Sequence, residues 1–303
     1  MRGRGDTLKP GPLAPVAVAL DLSPALDASA VERQLVAFVR TYAAGARADG
    51  VVIGLSGGVD SAVCAAIAAR ALGPERVLAL MLPHATSHPE DAAHARLVAD
   101  ALRVPHETVD VTPIVDAAAR ACGAHALRDG PAFNNLKSRS RMMVLYAHAN
   151  ATNRLVVGTG NKSELLTGYF TKYGDGGADV YPIGDLYKTQ VFALARHLGL
   201  PSAVVEKPPT AGLFPGQTDE AELGITYALL DRVLGGFEAG HPPEVVARAL
   251  GVGVEDVRRV EARVLASEHK RTSLVIPKVG FRTPGLDWRA PRQRAPSPEG
   301  GIP

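Results

Sequence analysis

Short aliphatic runs alternate with helix-length segments along the first two thirds of the chain, and this alternation constrains the fold more than any other feature. VVIGLS (51–56), RVLALML (76–82), HETVDV (106–111) and RLVVG (154–158) read as strands. Around them, the segment 29–45 places Val31, Leu35, Phe38 and Val39 on one helical stripe. Residues 61–72 form an Ala-rich helix closed by Gly73-Pro74, and further helices are expected over 89–102, about 113–121, about 135–149 and 185–199. Strands and helices in this order call for a parallel sheet covered on both faces. The expected architecture is α/β: a Rossmann-like sheet of about five strands with helices on both faces. The stretch 200–270 reads as helical and more polar, with no repeat period. In open α/β sheets ligands lie outside the carboxyl ends of the strands, which selects the loops to read.

Composition narrows the function classes without naming one. Apolar residues at 46% and charged residues at 21% are average for a globular domain, which excludes wholesale disorder. Lys plus Arg is 33 against Asp plus Glu at 31, so the basic footprint of a nucleic-acid binder is missing and no nucleic-acid partner is expected. Cys64 and Cys122 are the two cysteines, too few for a disulfide framework or a four-thiolate zinc site. The first residues carry Arg, but their apolar stretch is short and crossed by prolines and Asp21, unlike a signal peptide. No run approaches the ~20 apolar residues of a membrane helix. A cytoplasmic protein without a membrane partner is expected, with a flexible arm over 1–28, a single domain over 29–290 and a flexible tail over 291–303.

The first loop to read is Gly54-Leu55-Ser56-Gly57-Gly58-Val59-Asp60-Ser61, between a strand and a helix. Adjacent glycines let backbone N–H groups approach a ligand, and a helix N-terminus offers unpaired donors with a positive dipole end. A phosphate or pyrophosphate is the natural guest, and Asp60 then fits as a hard oxygen ligand for Mg²⁺. The competing reading is a plain Gly-rich turn, with Ser56, Asp60 or Ser61 capping the helix. Neither G-x-x-x-x-G-K-[ST] nor G-x-G-x-x-G is present; NKS at 161–163 lacks the glycine that would precede a Walker lysine.

S-G-G-V-D-S after a first strand resembles the pyrophosphatase loop of the N-type ATP pyrophosphatases, with their adenine nucleotide alpha hydrolase-like fold. Within that superfamily, GTGNKSELLTGYFTKYGDGGADVYPIGDLYKTQV (158–191), PPTAGLFPGQTDEAELGITYALLD (208–231) and SEHKR (267–271) resemble the NAD synthetases. NNLKSRSRM (134–142) matches their usual N-[IL]-x-A-R-x-R-M, with Ser138 in place of Ala. The likeness covers roughly 30–290 and leaves the two ends out.

The resemblance implies ATP binding by the loop 54–61 and by Thr159, Lys188 and Thr210, with Asp60 and Glu164 as metal ligands. Paired carboxylates suit Mg²⁺, while Glu164 alone also reads as a first-turn Glu favouring a helix dipole. Lys188 opposes the dipole of its helix, so a nearby anion explains it better than solvent does. Lys172, Asp175 and Asp179 sit in a loop too rich in glycine to be helical, and their spacing is not that of a calcium loop. By resemblance Lys172 and Asp179 touch deamido-NAD⁺, as do Arg139, His269 and Lys270, while Asp175 holds or deprotonates ammonium. A carboxylate is apt for that task. Catalytic roles thus fall to Asp175 and Lys188. His84, His88 and His94 straddle a Pro-containing loop and a helix and read as solvated histidines rather than a zinc site.

The implied enzyme is a C–N bond-forming ligase, working as a homodimer. It activates the nicotinate carboxylate of deamido-NAD⁺ with ATP and Mg²⁺, releases pyrophosphate, and lets ammonia displace AMP to give NAD⁺. Only about 30 residues precede the likeness, and neither cysteine resembles a glutaminase nucleophile, so ammonia is the expected nitrogen source. The rivals are an ATP pyrophosphatase acting on another carboxylate, such as nicotinate mononucleotide, a tRNA-thiolating relative, and a non-catalytic nucleotide-binding module. The Pro/Gly-rich 201–220 segment suggests a lid.

Overall fold

The computed structural model describes residues 25–123, 130–214, 216–272 and 275–284. The expected tail over 291–303, and nearly all of the expected arm over 1–28, lie outside the described residues.

Four strands build one sheet: β1 (Gly50–Gly54), β2 (Val77–Met81), β3 (His106–Thr108) and β4 (Arg154–Val157). Their spatial order is β3-β2-β1-β4 and every pairing is parallel, with Val52 beside Leu78 and Val156. The sheet has four strands where about five are expected, and beyond β4 it continues only as a single parallel bridge between Val157 and Val180. The reason is local: the chain arriving at Val180 comes from the turn-rich stretch holding Gly174, Gly176 and Gly177, and leaves at once into turns, so no second ladder residue is presented.

The strands are short and apolar because both faces are covered. Helices α1 (Ala28–Gly45), α2 (Val59–Leu72) and α7 (Lys188–His197) pack on one face, where they meet Val51, Ile53, Ala79 and Met81. Helices α4 (Thr112–Ala121) and α5 (Pro131–Ala151) cover the other, against Val52, Leu80 and Val156. Successive strand residues thus enter different cores, as a period of two requires. Each Val, Ile, Leu or Met side chain among them, when fully buried, contributes about 1.5–3 kcal/mol. Helix α3 (Pro89–Leu102) follows β2 and leans on α2.

Helix α8 (Ser202–Val205) still belongs to the first core through Val204 and Val205, and the later chain then adds a helical layer: α9 (Asp219–Leu223), α10 (Tyr227–Glu238), α11 (Pro243–Leu250), α12 (Val254–Ala266) and α13 (Glu268–Arg271). Tyr227, Leu230, Leu234, Val246, Val257 and Val260 form its own core, which reaches Tyr187 and Leu166. Leu166 lies in α6 (Lys162–Thr167), the short helix after β4. This third core fastens the layer to the side of the sheet where β4 ends. Among the described residues no helix is long and apolar enough to cross a membrane.

Candidate active site

The chain runs from β1 outward to β2 in one direction, while β4 lies on the opposite side of β1. The switch point is therefore between β1 and β4, where the loops leaving both strands diverge and leave a crevice. The 55–58 loop and the start of α2 form one wall, and residues 158–164 form the other.

The first wall ends in unpaired backbone donors. The N-cap of α2 is Gly58, and no side chain caps that helix end, so the competing reading of a side-chain-capped turn does not describe this loop. Its first N–H groups stay available, with a positive dipole end behind them. The serines brace the loop instead: Ser61 Oγ donates to the Gly58 carbonyl at 2.9 Å, and Ser56 N and Oγ meet Ser61 Oγ at 3.2 and 3.1 Å. Gly57 has φ of +78°, and a Cβ there would stand 2.3 Å from the Asp91 carbonyl oxygen of α3. Both constraints call for glycine.

The second wall starts with Asn161, which caps α6 in a capping box with Glu164. Asn161 also reaches across the crevice, donating from Nδ2 to Asp60 Oδ1 at 3.0 Å. Between the walls lies Lys188, the first residue of α7 and only 2% exposed. Its ammonium contacts Asp60 Oδ2 closely and stands 3.5 Å from Glu164 Oε1. The anion sought for this lysine is thus a pair of carboxylates, and the lysine is buried rather than solvated. Asp60 and Glu164 thus converge on one point, which the Lys188 ammonium fills in this structure.

The electrostatics point the same way. Burial pushes the Glu164 carboxyl up to about 8; Lys188 opposes this, while Asp60 and Asp219 reinforce it. Burial works against the Lys188 ammonium, yet Asp60 and Glu164 outweigh it and raise its pKa. Asp219, 3% exposed, is also pushed up by burial, and its Oδ1 is buried without a hydrogen-bond partner. One ammonium among three carboxylates leaves the crevice short of positive charge. The sign of the Glu164 effect is testable. A carboxyl raised in the folded state stabilises fully below its unfolded value of 4.5, and that contribution is lost as pH rises to about 8. The ligand-free Glu164→Gln variant is expected to lose less stability than the parent between pH 5 and 8, measured by denaturant unfolding.

A cavity of 460 Å³ opens above the crevice. It is lined by every residue of the 54–61 loop except Gly57, and by Thr159, Glu164, Lys188 and Thr210. It then extends to Asp175 and Lys270. The structure therefore gathers the residues assigned to ATP and metal, plus these two, around one volume. Arg139, Lys172, Asp179 and His269 stand outside the lining. Three of them form a chain beside it: Arg139 Nε donates to the Lys172 carbonyl at 3.3 Å, and Lys172 Nζ donates to the His269 carbonyl at 2.6 Å. Lys270 Nζ is held by the carbonyls of Gly168 and Phe170 at 2.7 and 2.8 Å. Asp179 turns its carboxylate inward, accepting from Val156 N at 2.7 Å and Tyr146 Oη at 3.1 Å, so it continues the pairing of the β4 edge.

Of the 201–220 segment, residues 207–213 with Gln217 and Asp219 line the cavity, and two lysines fasten this stretch. Lys207 pairs with Asp91 at 2.5 Å, and the buried Lys137 donates to the Leu213 carbonyl at 2.8 Å and to Thr86 Oγ1 at 3.0 Å. The histidine expectation needs correction. His84 is 7% exposed rather than solvated, because it packs edge-on against Phe133 and bonds Thr86 through Nδ1. No group of three or more metal-ligating side chains occurs among the described residues.

The family model described as NAD synthase matches residues 31–274. The chain belongs to the NAD synthase family. It is 44% identical over 255 residues to the NH(3)-dependent NAD(+) synthetase of Methanosarcina acetivorans, spanning 84% of this chain and 100% of that protein. Two solved structures share its fold. One is an NMN synthetase from Francisella tularensis, with 35% identity, a TM-score of 0.74 and coverage of 84% and 100%. The other is the NH3-dependent NAD synthetase of Campylobacter jejuni, with 29% identity, a TM-score of 0.71 and the same coverage.

Several site residues of this NAD synthase family member were not singled out by sequence reasoning. Arg141 lines the cavity and donates to the Leu82 carbonyl at 3.0 Å, and burial lowers its pKa. Asp231 is wholly buried in α10, where it accepts from Ser163 Oγ at 2.5 Å and Thr189 N at 2.8 Å. Its signal was an acidic residue at an apolar position of a helix in YALLD, which marks a buried polar role.

Proposed function

We propose that this protein makes NAD⁺ from deamido-NAD⁺, ATP and ammonia, with AMP and pyrophosphate as the other products. One observation carries the reading beyond the family match: Asp60, Glu164 and Lys188 converge beside an uncapped helix N-terminus, within a cavity that ends at a carboxylate, Asp175. The first feature suits a nucleoside triphosphate and the second an ammonium ion.

In the first step a carboxylate oxygen of the nicotinate ring attacks the α-phosphorus of ATP. A P–O bond forms, the α–β bridging bond breaks, and pyrophosphate departs with the electron pair. The 55–61 loop and the α2 N-terminus hold the β- and γ-phosphates, leaving the α-phosphorus open. Lys188 and Thr210 offset the charge that grows on the leaving group. Asp60 and Glu164 would hold Mg²⁺, which when bound supplies further neutralisation of phosphate charge. In the second step Asp175 attracts ammonium and accepts one proton from it; the freed nitrogen lone pair attacks the acyl carbon. The C–N bond forms, the acyl C–O bond breaks, AMP leaves, and the remaining extra proton passes to solvent.

Arg139, Lys172, His269 and Lys270 surround the rim where the dinucleotide's phosphates would lie, and an Arg fork suits them. Asp179 engages the dinucleotide through what its inward bonds leave exposed. A homodimer that works in the cytoplasm completes the reading. Ammonia as donor is supported by the match to the whole length of a relative named for that donor.

A second acceptor is favoured by one finding, the likeness to an NMN synthetase. Initial rates with deamido-NAD⁺ and with nicotinate mononucleotide, each with ammonium or glutamine, separate the readings. The expected result is a kcat/KM at least about tenfold higher for deamido-NAD⁺, a difference of about 1.4 kcal/mol, with ammonium as the working donor. A preference for the mononucleotide would replace the acceptor, and a preference for glutamine would replace the donor.

A further inference from the structure

The position at which NNLKSRSRM departs from its usual pattern is in direct contact with the candidate ammonium site. Ser138 lies on α5, 6% exposed, with its hydroxyl against the turn that carries Asp175. Ser138 Oγ donates to Asp175 Oδ1 at 2.7 Å and accepts from Asp175 N at 2.9 Å. The same Oδ1 accepts from Thr171 N at 2.9 Å. Two donors therefore fix one carboxylate oxygen and one acceptor fixes the backbone of the same residue. Among the described residues Oδ2 has no hydrogen-bond partner.

The turn is shaped around this hydroxyl. A Cβ on Gly174 would stand 2.3 Å from Ser138 Oγ, so only glycine lets the backbone pass so close. Thr171 closes the turn by accepting from Gly174 N at 2.9 Å and Gly176 N at 3.1 Å, and its Oγ1 donates to Asn135 Oδ1 of α5 at 2.9 Å. Asn135 and Ser138, one helical turn apart, are thus two pegs on one face of α5. An alanine at 138 keeps the helix and the Asn135 peg, but removes the donor from Oδ1 and the acceptor from Asp175 N.

We propose that Ser138 is a positioning residue for the amine-transfer step: it locks Oδ1 of Asp175 so that Oδ2 is the oxygen presented to ammonium in the cavity. This rests on the reading of Asp175 as the ammonium-holding carboxylate. A carboxylate free to rotate divides its time between orientations and binds a small cation more weakly; a hydrogen bond to a charged group is strong enough to remove that freedom. The residues assigned to adenylation share the cavity with this contact, but among the described residues none of them hydrogen-bonds to the Ser138 hydroxyl or the Asp175 carboxylate.

Steady-state kinetics of Ser138→Ala with ammonium as the varied substrate tests the proposal, alongside ATP–pyrophosphate exchange measured with deamido-NAD⁺ and no ammonium. Alanine is the strongest helix former, so α5 is kept. The expected result is a KM for ammonium raised about tenfold, with kcat and the exchange rate within about twofold of the parent. An unchanged KM for ammonium overturns the proposal. So does a fall in exchange by the same factor, which would mean that the hydroxyl only supports the fold. Asp175→Asn is the companion variant. If it leaves the ammonium dependence untouched, the Asp175 reading fails, whatever Ser138→Ala does.

Discussion

Lys188→Met is expected to lower ATP–pyrophosphate exchange by about 10²–10³-fold while the protein stays folded. The side chain is fully enclosed, its ammonium standing 5.2 Å from the centre of the Tyr227 ring and 6.0 Å from that of Phe192. Methionine fills that lane with little change of volume. What it removes is the cation nearest to Asp60 and Glu164, and the charge that faces the departing pyrophosphate. With the ammonium gone, Asp60, Glu164 and Asp219 face one another uncompensated, and the folded state becomes more dependent on added Mg²⁺ than the parent. Thermal unfolding with and without MgCl₂ reads that second effect. Exchange that stays within threefold of the parent would remove Lys188 from the chemistry.

Asp231→Ala should be among the most destabilising single changes in the protein, by about 2–4 kcal/mol in denaturant unfolding. Asp231 is 0% exposed and bonds two helices at once, accepting from Ser163 Oγ of α6 and Thr189 N of α7. Ser163 Oγ in turn accepts from Lys188 N at 2.9 Å. Removing the carboxylate strands a buried hydroxyl and a buried backbone N–H and leaves a void between the helices. The same change loosens the two helices that carry Glu164 and Lys188, so ATP–pyrophosphate exchange falls with stability. Asp231→Asn keeps one acceptor oxygen and presents an amide where the second stood, and is expected to lose about half as much. Equal losses for the two variants would assign the effect to shape rather than to acceptors.

The parts of this fold that were legible in the sequence are those encoded within a few residues. β1 and its loop announce themselves because a strand buried on both faces must be continuously apolar, and because Gly57-Gly58 can serve only a tight strand-to-helix passage. The start of α3 follows from Pro89 at its first turn, whereas its end, at Arg103 in left-handed backbone, carries no such local signal. What was illegible is pairing across long separations. Nothing near Lys188 says that its partner is Asp60, 128 residues away, and a lysine opposing its helix dipole only hints that an anion is close. The buried state of His84 depends on Phe133 arriving from another helix. The expected count of about five strands had no fifth run behind it, and beyond β4 the chain offers only the bridge at Val180, between the Gly174–Gly177 turns and Pro182. Ser138 stood out only as a departure from a pattern; its meaning came from the turn packed against it.

Product analysis with isotopic nitrogen follows the whole reaction at once. The purified protein is incubated with ATP, MgCl₂, ¹⁵N-ammonium and deamido-NAD⁺, and the products are resolved by mass spectrometry. One AMP and one pyrophosphate are expected for each NAD⁺, with ¹⁵N in its carboxamide and no product when ATP is omitted. ADP and phosphate in place of AMP and pyrophosphate, or ATP cleavage without labelled NAD⁺, would contradict it.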